Sequence, residues 1–240
     1  MVPEARDDEY GTVVIDATQV PAWKADGQIT LGIAHEIGSG PTVYNRPTLD
    51  RSVVGCVAGS EDGLKPILEE ASVDRLVHDG GLAVDDQADS VVRCAWHVPY
   101  TVKHLLYRDD VTGDANKEAV NALKDQVFAR DEPIKERRHG LARWVNEYCV
   151  KAPQAATHVL EAIPGLLTYH QQSDRYEVQT TSPVEREMQE INKRFENGGG
   201  WTRSGAEAML KHLQLWRHEN DQYKQQIRSN GGNCMPNFEC

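Results

Sequence analysis

The chain has 240 residues, enough to bury a substantial core in one large domain. Its 37 Asp and Glu residues outnumber 26 Lys and Arg residues, which gives a net charge of -11. No apolar run approaches the roughly 20 residues that cross a bilayer, and the N-terminus lacks the basic and apolar regions of a signal peptide. We therefore expect a cytoplasmic protein with no membrane partner. The five cysteines are scattered and odd in number, which argues against a disulfide framework.

This charge counts against a protein that binds nucleic acid, because affinity for phosphates comes largely from Lys and Arg. A broadly acidic surface, however, keeps proteins soluble in concentrated salt, as in halophiles, and it can coexist with a locally basic face. The sequence offers one candidate for that face, which comprises Lys135, Arg137, Arg138 and Arg143. Taken alone, this segment is more typical of a solvated helix surface.

The first half of the chain predicts an α/β arrangement. Residues 1–10 are polar and are expected to be a flexible N-terminus. Short apolar segments separated by Gly, Pro and Asp predict an antiparallel meander, then a helix, then a buried strand. The predicted strands are 11–16, 28–37, 41–46, 52–58 and 75–78, and the predicted helix is 62–71. The order of strand, meander, helix and strand favours a mixed sheet.

The second half is mainly helical in its periodicity. A short strand at 90–97 leads into a helix at 98–106, and apolar residues recur at helical intervals from 116 to 150. Helices continue over 155–163 until Pro164-Gly165, which we expect to interrupt them. A connecting strand is predicted at 176–180. Ser182-Pro183 then begins a helix that carries Glu185 in its first turn, and the last helix covers 204–217, followed by a disordered tail at 218–240.

Two acids follow apolar strands in the same way. Asp16 ends the strand 11–16, and Asp79 follows the strand 75–78 directly before Gly80-Gly81. One such Asp is more often a turn former or a helix cap, but a matched pair suggests a crevice at the rim of a sheet. Two carboxylates about 4 Å apart repel by about 4 kcal/mol at an effective dielectric constant of 20. Without a counter-ion such a site would be strained or partly protonated, whereas hard divalent cations such as Mg²⁺ relieve the repulsion.

Cys94 and His97 have the Cys-x-x-His spacing that supplies half of a zinc site. The spacing favours a packed Cys beside a hydrogen-bonded His over zinc, because none of the candidates for the remaining ligands follows at a regular interval. Those candidates are His104, His139, Cys149 and His158.

Four segments together resemble a known family. They are VVIDAT at 13–18, VHDGG at 77–81, RCAWH at 93–97 and SPVEREMQEINKR at 182–194. In this order they are similar to the catalytic core of mutator-type insertion-sequence transposases of the DDE class. The resemblance covers about residues 11–217 and implies a ribonuclease-H-like fold: an α/β mixed sheet flanked by helices, with an all-helical insertion at about 112–170 between the second and third catalytic acids.

The resemblance implies that Asp16, Asp79 and Glu185 bind two Mg²⁺ or Mn²⁺ ions and catalyse DNA cleavage and strand transfer. Glu187 competes for the third position, and Glu185 is preferred because it precedes Arg-x-Met. Cys94, His97 and Arg186 would surround these ligands.

The implied partners are the transposon ends and the target DNA, with a homo-oligomer assembled on them. The candidate DNA contacts are Lys135, Arg137, Arg138, Arg143, Lys193 and Arg194, while Trp144 or Trp201 would either stack on DNA or pack internally. Family members usually carry a DNA-binding region before the first Asp, so the sequence is interpreted as the C-terminal catalytic part of a transposase. Two alternatives stay open: a catalytically silent remnant that binds only DNA or partner chains, and a metal-independent hydrolase that uses two acids.

Overall fold

The computed structural model describes residues 10–23, 27–39, 49–80, 84, 86–129, 132–171, 180–196 and 200–229. The strands in these residues are β1 (Tyr10–Pro21), β2 (Gln28–Ser39), β3 (Leu49–Gly59), β4 (Val73–His78) and β5 (Ala88–Arg93). The helices are α1 (Lys65–Ala71), α2 (His97–Arg108), α3 (Gly113–Phe128), α4 (Ile134–Tyr148), α5 (Pro153–Gln171), α6 (Ser182–Glu196) and α7 (Arg203–Ser229). A 3₁₀ turn at Glu61–Leu64 precedes α1.

The five strands form one mixed sheet in the order β3-β2-β1-β4-β5. The first three strands are antiparallel neighbours, whereas β4 runs parallel to β1 and β5 runs parallel to β4. The central strands contain consecutive buried apolar residues, such as Val13–Ile15 in β1, because both faces of the sheet are covered. The predicted α/β class and the antiparallel meander are thus confirmed.

Helices cover the two faces of the sheet unequally. On one face, Val13 and Ile15 of β1 pack with Leu64 and with Leu68 of α1. On the other face, the alternate residues of the strands pack against α6 and α7, with Val14 in the same cluster as Val184. Because successive strand residues point to opposite faces, α6 lies on the face to which Val14 and Asp16 point.

The helices α2, α3, α4 and α5 form a separate hydrophobic cluster between the strand β5 and the helix α6 in the chain. Val102, Leu123, Leu141 and Val159 contribute one buried side chain from each helix. Three of these helices, α3 to α5, correspond to the predicted helical insertion, with bounds of Gly113 and Gln171.

Three elements are longer than predicted. β1 continues to Pro21, so Asp16 lies inside the strand and not at its end, because pairing with β2 continues past it from Asp16↔Ile33 to Pro21↔Gln28. α5 runs through Pro164, and α7 runs to Ser229. The predicted disordered tail is therefore wrong for residues 218–229.

Several predictions fall outside the described residues. These are the predicted strand at 41–46, most of the one at 176–180, the polar segment 1–9 and the last residues of the tail, 230–240. Among the helices that the structure describes, none combines the length and the apolar character needed to cross a membrane.

Candidate active site

Asp16 and Asp79 are brought together by the parallel pairing of β1 with β4. Val14 pairs with Val77 in this register, and each acid follows its paired valine by two residues. Since side chains repeat every two residues along a strand, both carboxylates extend from the same side of the sheet. They lie where β4 ends and β1 continues alone beside β2. Asp16 is thus a mid-strand residue at the rim that the end of β4 creates.

Glu185 reaches this rim from the first turn of α6. The helix begins after Thr181, whose carbonyl accepts hydrogen bonds from the backbone amides of Val184 and Glu185. Val184 and Met188 bury one face of α6 against the sheet. The Glu185 side chain stays partly exposed, at 29%. The Ser-Pro start predicted from the sequence therefore places this carboxylate near the two aspartates.

Cys94 and His97 form a hydrogen-bonded pair beside Glu185. The Nδ1 atom of His97 lies 3.1 Å from the Sγ atom of Cys94, and its Nε2 atom lies 3.6 Å from Oε1 of Glu185. The turn between β5 and α2 makes this possible because it brings two residues three positions apart into contact. Among the described residues, no third Cys or His completes a metal site with this pair.

Thr181 joins the two halves of the site, and the sequence reasoning did not identify it. The side chain is fully buried. Its backbone amide donates to Cys94 Sγ at 3.4 Å, and its hydroxyl lies 3.3 Å from both His97 Nδ1 and Glu185 Oε1. The sequence did contain a signal for Thr181, because a Thr directly before the Ser-Pro helix start is a favoured N-cap residue.

The carboxyl group of Asp16 carries the clearest electrostatic signature. Burial raises its pKa from the ordinary value of 3.8 to about 7. The amide of Ala17 donates to Oδ1 at 2.9 Å and lowers the pKa, as does the charge of His97, whereas the charges of Asp79 and Glu185 raise it. Asp16 therefore interacts electrostatically with both other acids and with His97.

His97 and Cys94 shift in opposite directions. The hydrogen bond to Cys94 raises the pKa of His97 from 6.5 to about 9, although burial lowers it. The charges of Asp79 and Glu185 also raise this pKa. Burial raises the pKa of Cys94, but the hydrogen bonds from His97 and Thr181 outweigh it, and the net pKa is lowered. His97 is therefore a cation at neutral pH and lies among the acids.

Gly80 permits the close approach of a cation to the turn after Asp79. Its φ angle is +99°, a conformation that favours glycine, and the guanidinium of Arg93 occupies the space that a Cβ atom would need. The pKa of His158 is lowered, first by burial and then by the charge of Arg93, while Asp79 opposes this effect. Arg93 and His158 thus lie at the edge of the same site.

Glu187, the competitor for the third position, is engaged elsewhere. It is 3% exposed and accepts a hydrogen bond from Nε2 of Gln214 on α7 at 2.7 Å. Nε2 of His35 on β2 lies 3.6 Å from the same carboxylate oxygen and 2.8 Å from Oε1 of Gln214. Glu187 therefore ties α6 to β2 and α7, which leaves Glu185 as the acid that interacts with Asp16.

The predicted DNA contacts divide into exposed and buried groups. The exposed side chains are Lys135, Arg138, Arg143, Lys193 and Arg194. Arg186, which the resemblance places around the metal ligands, is exposed as well. Arg137 is instead 1% exposed and donates from its guanidinium to the carbonyl of Val127 at 3.0 Å, at the end of α3. The prediction that Arg137 contacts DNA at the surface is therefore wrong.

The two tryptophans considered for stacking pack internally. Trp144 is 4% exposed, and its indole donates to the carbonyl of Ala119 at 2.9 Å. Trp201 donates to the carbonyl of Phe195 at 3.1 Å and packs against that residue's ring. Neither aromatic ring is presented for stacking on a nucleic acid.

The donor chemistry of the site suits hard cations. Asp16, Asp79 and Glu185 offer carboxylate oxygens, which Mg²⁺ prefers. The pKa of Asp16 is raised first by burial and then by the charges of Asp79 and Glu185, and a bound cation would oppose both effects. In the part of the chain that the structure describes, however, no three His, Cys, Asp or Glu side chains are already arranged as metal ligands.

Comparisons with family models and with curated proteins found no match to this chain.

Proposed function

We propose that this chain is the catalytic domain of a DDE-class transposase with a ribonuclease-H-like fold, which cleaves DNA and transfers the freed strand. One observation carries the proposal: Asp16, Asp79 and Glu185 come from β1, the end of β4 and α6, and they interact electrostatically at one rim of the sheet. A mixed sheet with helices on both faces and a helical segment between the second and third acids is compatible with that fold.

Three carboxylates can hold a pair of Mg²⁺ or Mn²⁺ ions, which supply activation of the attacking oxygen and stabilisation of the leaving oxygen in phosphoryl transfer. Asp16, Asp79 and Glu185 would act as the ligands. His97 keeps a positive charge 3.6 Å from Glu185, which restrains that carboxylate. Thr181 and Cys94 fix the ring of His97 in turn.

The test is metal-dependent nicking of supercoiled DNA by Asp79→Asn. We expect a loss of about 10²- to 10³-fold in rate, the effect of removing one group that stabilises transition-state charge. Asp114→Asn is the matched control, because Asp114 is 88% exposed and forms its ion pair with Lys117 within α3, away from the three acids. Nicking by Asp79→Asn at the wild-type rate would contradict the proposal.

The same experiment separates the alternatives. Calorimetric binding of Mn²⁺ without nicking by the wild-type chain would indicate a silent remnant. Activity that persists in EDTA would instead favour a metal-independent hydrolase.

A further inference from the structure

A line of aromatic side chains follows the outer face of α2. Trp96, Tyr100, Lys103 and Tyr107 stand at helical positions i, i+4, i+7 and i+11, which fall on one narrow strip of the helix surface. The three aromatic side chains are 53%, 56% and 48% exposed, and Lys103 is exposed as well. We call these four residues the α2 strip.

The α2 strip is not required for the packing of the helix. The opposite face of α2 is buried in the helical cluster through Val98, Val102 and Leu106. Single exposed apolar residues are ordinary, but three large rings in line on one helix form a continuous patch, and such patches mark interaction sites.

The helix that carries the strip has a charge opposite to that of the whole chain, although Asp109 and Asp110 directly follow it. The helix from His97 to Arg108 contains no Asp or Glu, although the chain carries a net charge of -11. Lys103 and Arg108 lie on its exposed side. Lys124 of α3 adds a third cation, with its ammonium group 5.8 Å from the centroid of the Trp96 ring. The patch therefore combines flat rings with positive charge.

The strip begins at the candidate active site. Trp96 directly precedes His97, whose Nε2 atom is 3.6 Å from Glu185. The distance along the helix from Trp96 to Tyr107 is about 16 Å at 1.5 Å per residue. A single strand that kept the base spacing of duplex DNA, about 3.4 Å per nucleotide, would cover this length with about five nucleotides.

We infer that the α2 strip binds single-stranded DNA by stacking unpaired bases beside the phosphate to be cleaved. The location next to the scissile phosphate rests on the proposed function, whereas the binding itself does not. Aromatic rings interleaved with Lys and Arg bind single strands because every base has a stacking face and every nucleotide a phosphate. In a duplex the base faces are covered by their neighbours, and the side chains that read base edges in the major groove are mainly Arg, Asn and Gln. The three rings of the strip lack the paired hydrogen-bonding groups with which Arg, Asn and Gln make bidentate contacts to base edges.

The test is the fluorescence anisotropy of a labelled oligothymidylate of about 15 nucleotides, near the upper end of known site sizes, with the chain in EDTA so that no cleavage occurs. We expect Trp96→Ala and Tyr100→Ala each to weaken binding by about 5- to 100-fold, because one stacked base is lost. Trp96→Phe should restore most of the affinity. Lys103→Gln should lower the slope of log affinity against log salt by about 0.7.

Trp216→Ala is the matched control, since Trp216 on α7 is 55% exposed but far along the chain from α2. It should leave the affinity unchanged, and circular dichroism with thermal melting should show that each variant folds. Affinities of Trp96→Ala and Tyr100→Ala equal to wild type would overturn the inference. The inference would also be overturned if the same variants lost affinity for the matching duplex to an equal extent. It would be overturned as well if the wild type did not bind the oligothymidylate, and a protein partner would then be the better occupant of the strip.

Failure of this inference can be distinguished from failure of the proposed function. Strip-dependent binding in EDTA together with no nicking in Mg²⁺ or Mn²⁺ would support the inference and contradict the catalytic proposal. Nicking that requires Asp79, without strip-dependent binding, would support the catalytic proposal and contradict the inference.

Discussion

At the scale of single residues, the raised pKa of Asp16 indicates that the site is destabilising by itself. A carboxylate that is buried beside two other acids, and that would ionise fully in water at neutral pH, holds its proton up to a pH of about 7. Groups used in catalysis or metal binding often carry such shifts. The fold therefore sacrifices some stability where the three acids meet.

Asp16→Asn should make the metal-free protein more stable at pH 8. The folded state binds the proton of Asp16 more tightly than the unfolded state, so wild-type stability falls as the pH rises from 3.8 to about 7. The amide cannot ionise, so the variant should gain up to about 4 kcal/mol at pH 8, and most of this gain should disappear by pH 4. Urea denaturation at both pH values measures the difference. A gain that does not vary with pH would show that the charge of Asp16 is not its source.

The residues that the sequence did not reveal share a physical reason. Asp16 and Asp79 could be recognised as a pair from the sequence because each follows an apolar run, and Glu185 could be recognised because it lies in the first turn of a predicted helix. Thr181 contacts Cys94 across 87 positions of the chain, and no local pattern encodes a contact of that range. The same holds for Glu187, whose buried role depends on residues of β2 and α7.

At the scale of elements, the sequence predicted which segments are helices better than where they end. Proline predicted a break at Pro164, but α5 continues because Gly165 lets the helix lie against the backbone of Arg93 on β5. A packing contact therefore outweighs the one helical hydrogen bond that proline removes. The extension of α7 beyond the predicted helix gave only a weak signal because polar residues dominate it, and Tyr223 and Ile227 alone continue the apolar spacing.

Arg137 illustrates how a charged residue can serve an element and not a ligand. Its guanidinium donates to the carbonyl groups of Gln126 and Val127 at the end of α3. Arg137→Met should leave these buried carbonyls without that donor and lower the free energy of unfolding by about 1–3 kcal/mol. Arg138→Met is the control at the next position, where the side chain is exposed, and should change it by less than about 0.5 kcal/mol.

Urea denaturation of both variants measures this difference. Similar small losses in the two variants would mean that the contacts of Arg137 contribute nothing to the stability of α3.

At the scale of the whole molecule, the net charge of -11 is spread over a chain that also carries a locally acid-free helix. Like charges repel one another in the compact state. The surface as a whole thus favours solubility over affinity for nucleic acid, and the α2 strip is a local exception to it.

The melting temperature should rise with KCl concentration. Raising the salt from about 0.1 M to about 1 M shortens the screening length from about 10 Å to about 3 Å, which weakens the repulsion among the acids. Differential scanning fluorimetry measures the slope. A variant that lacks four exposed negative charges should show a smaller slope of melting temperature against KCl concentration. A slope equal to that of the wild type would mean that salt acts in general and not through these charges. The suitable positions are Glu118, Glu132, Glu136 and Glu147.

The separation of the hydrophobic clusters has one more consequence. His97 and the α2 strip lie on α2, which packs in the helical cluster, whereas Asp16 lies on the sheet and Glu185 on α6. The candidate site groups therefore meet where the helical cluster borders the cluster formed by the sheet, α6 and α7. Under the proposed function, a small molecule bound at that border would separate the imidazole of His97 from the carboxylates and inhibit DNA cleavage without unfolding either cluster.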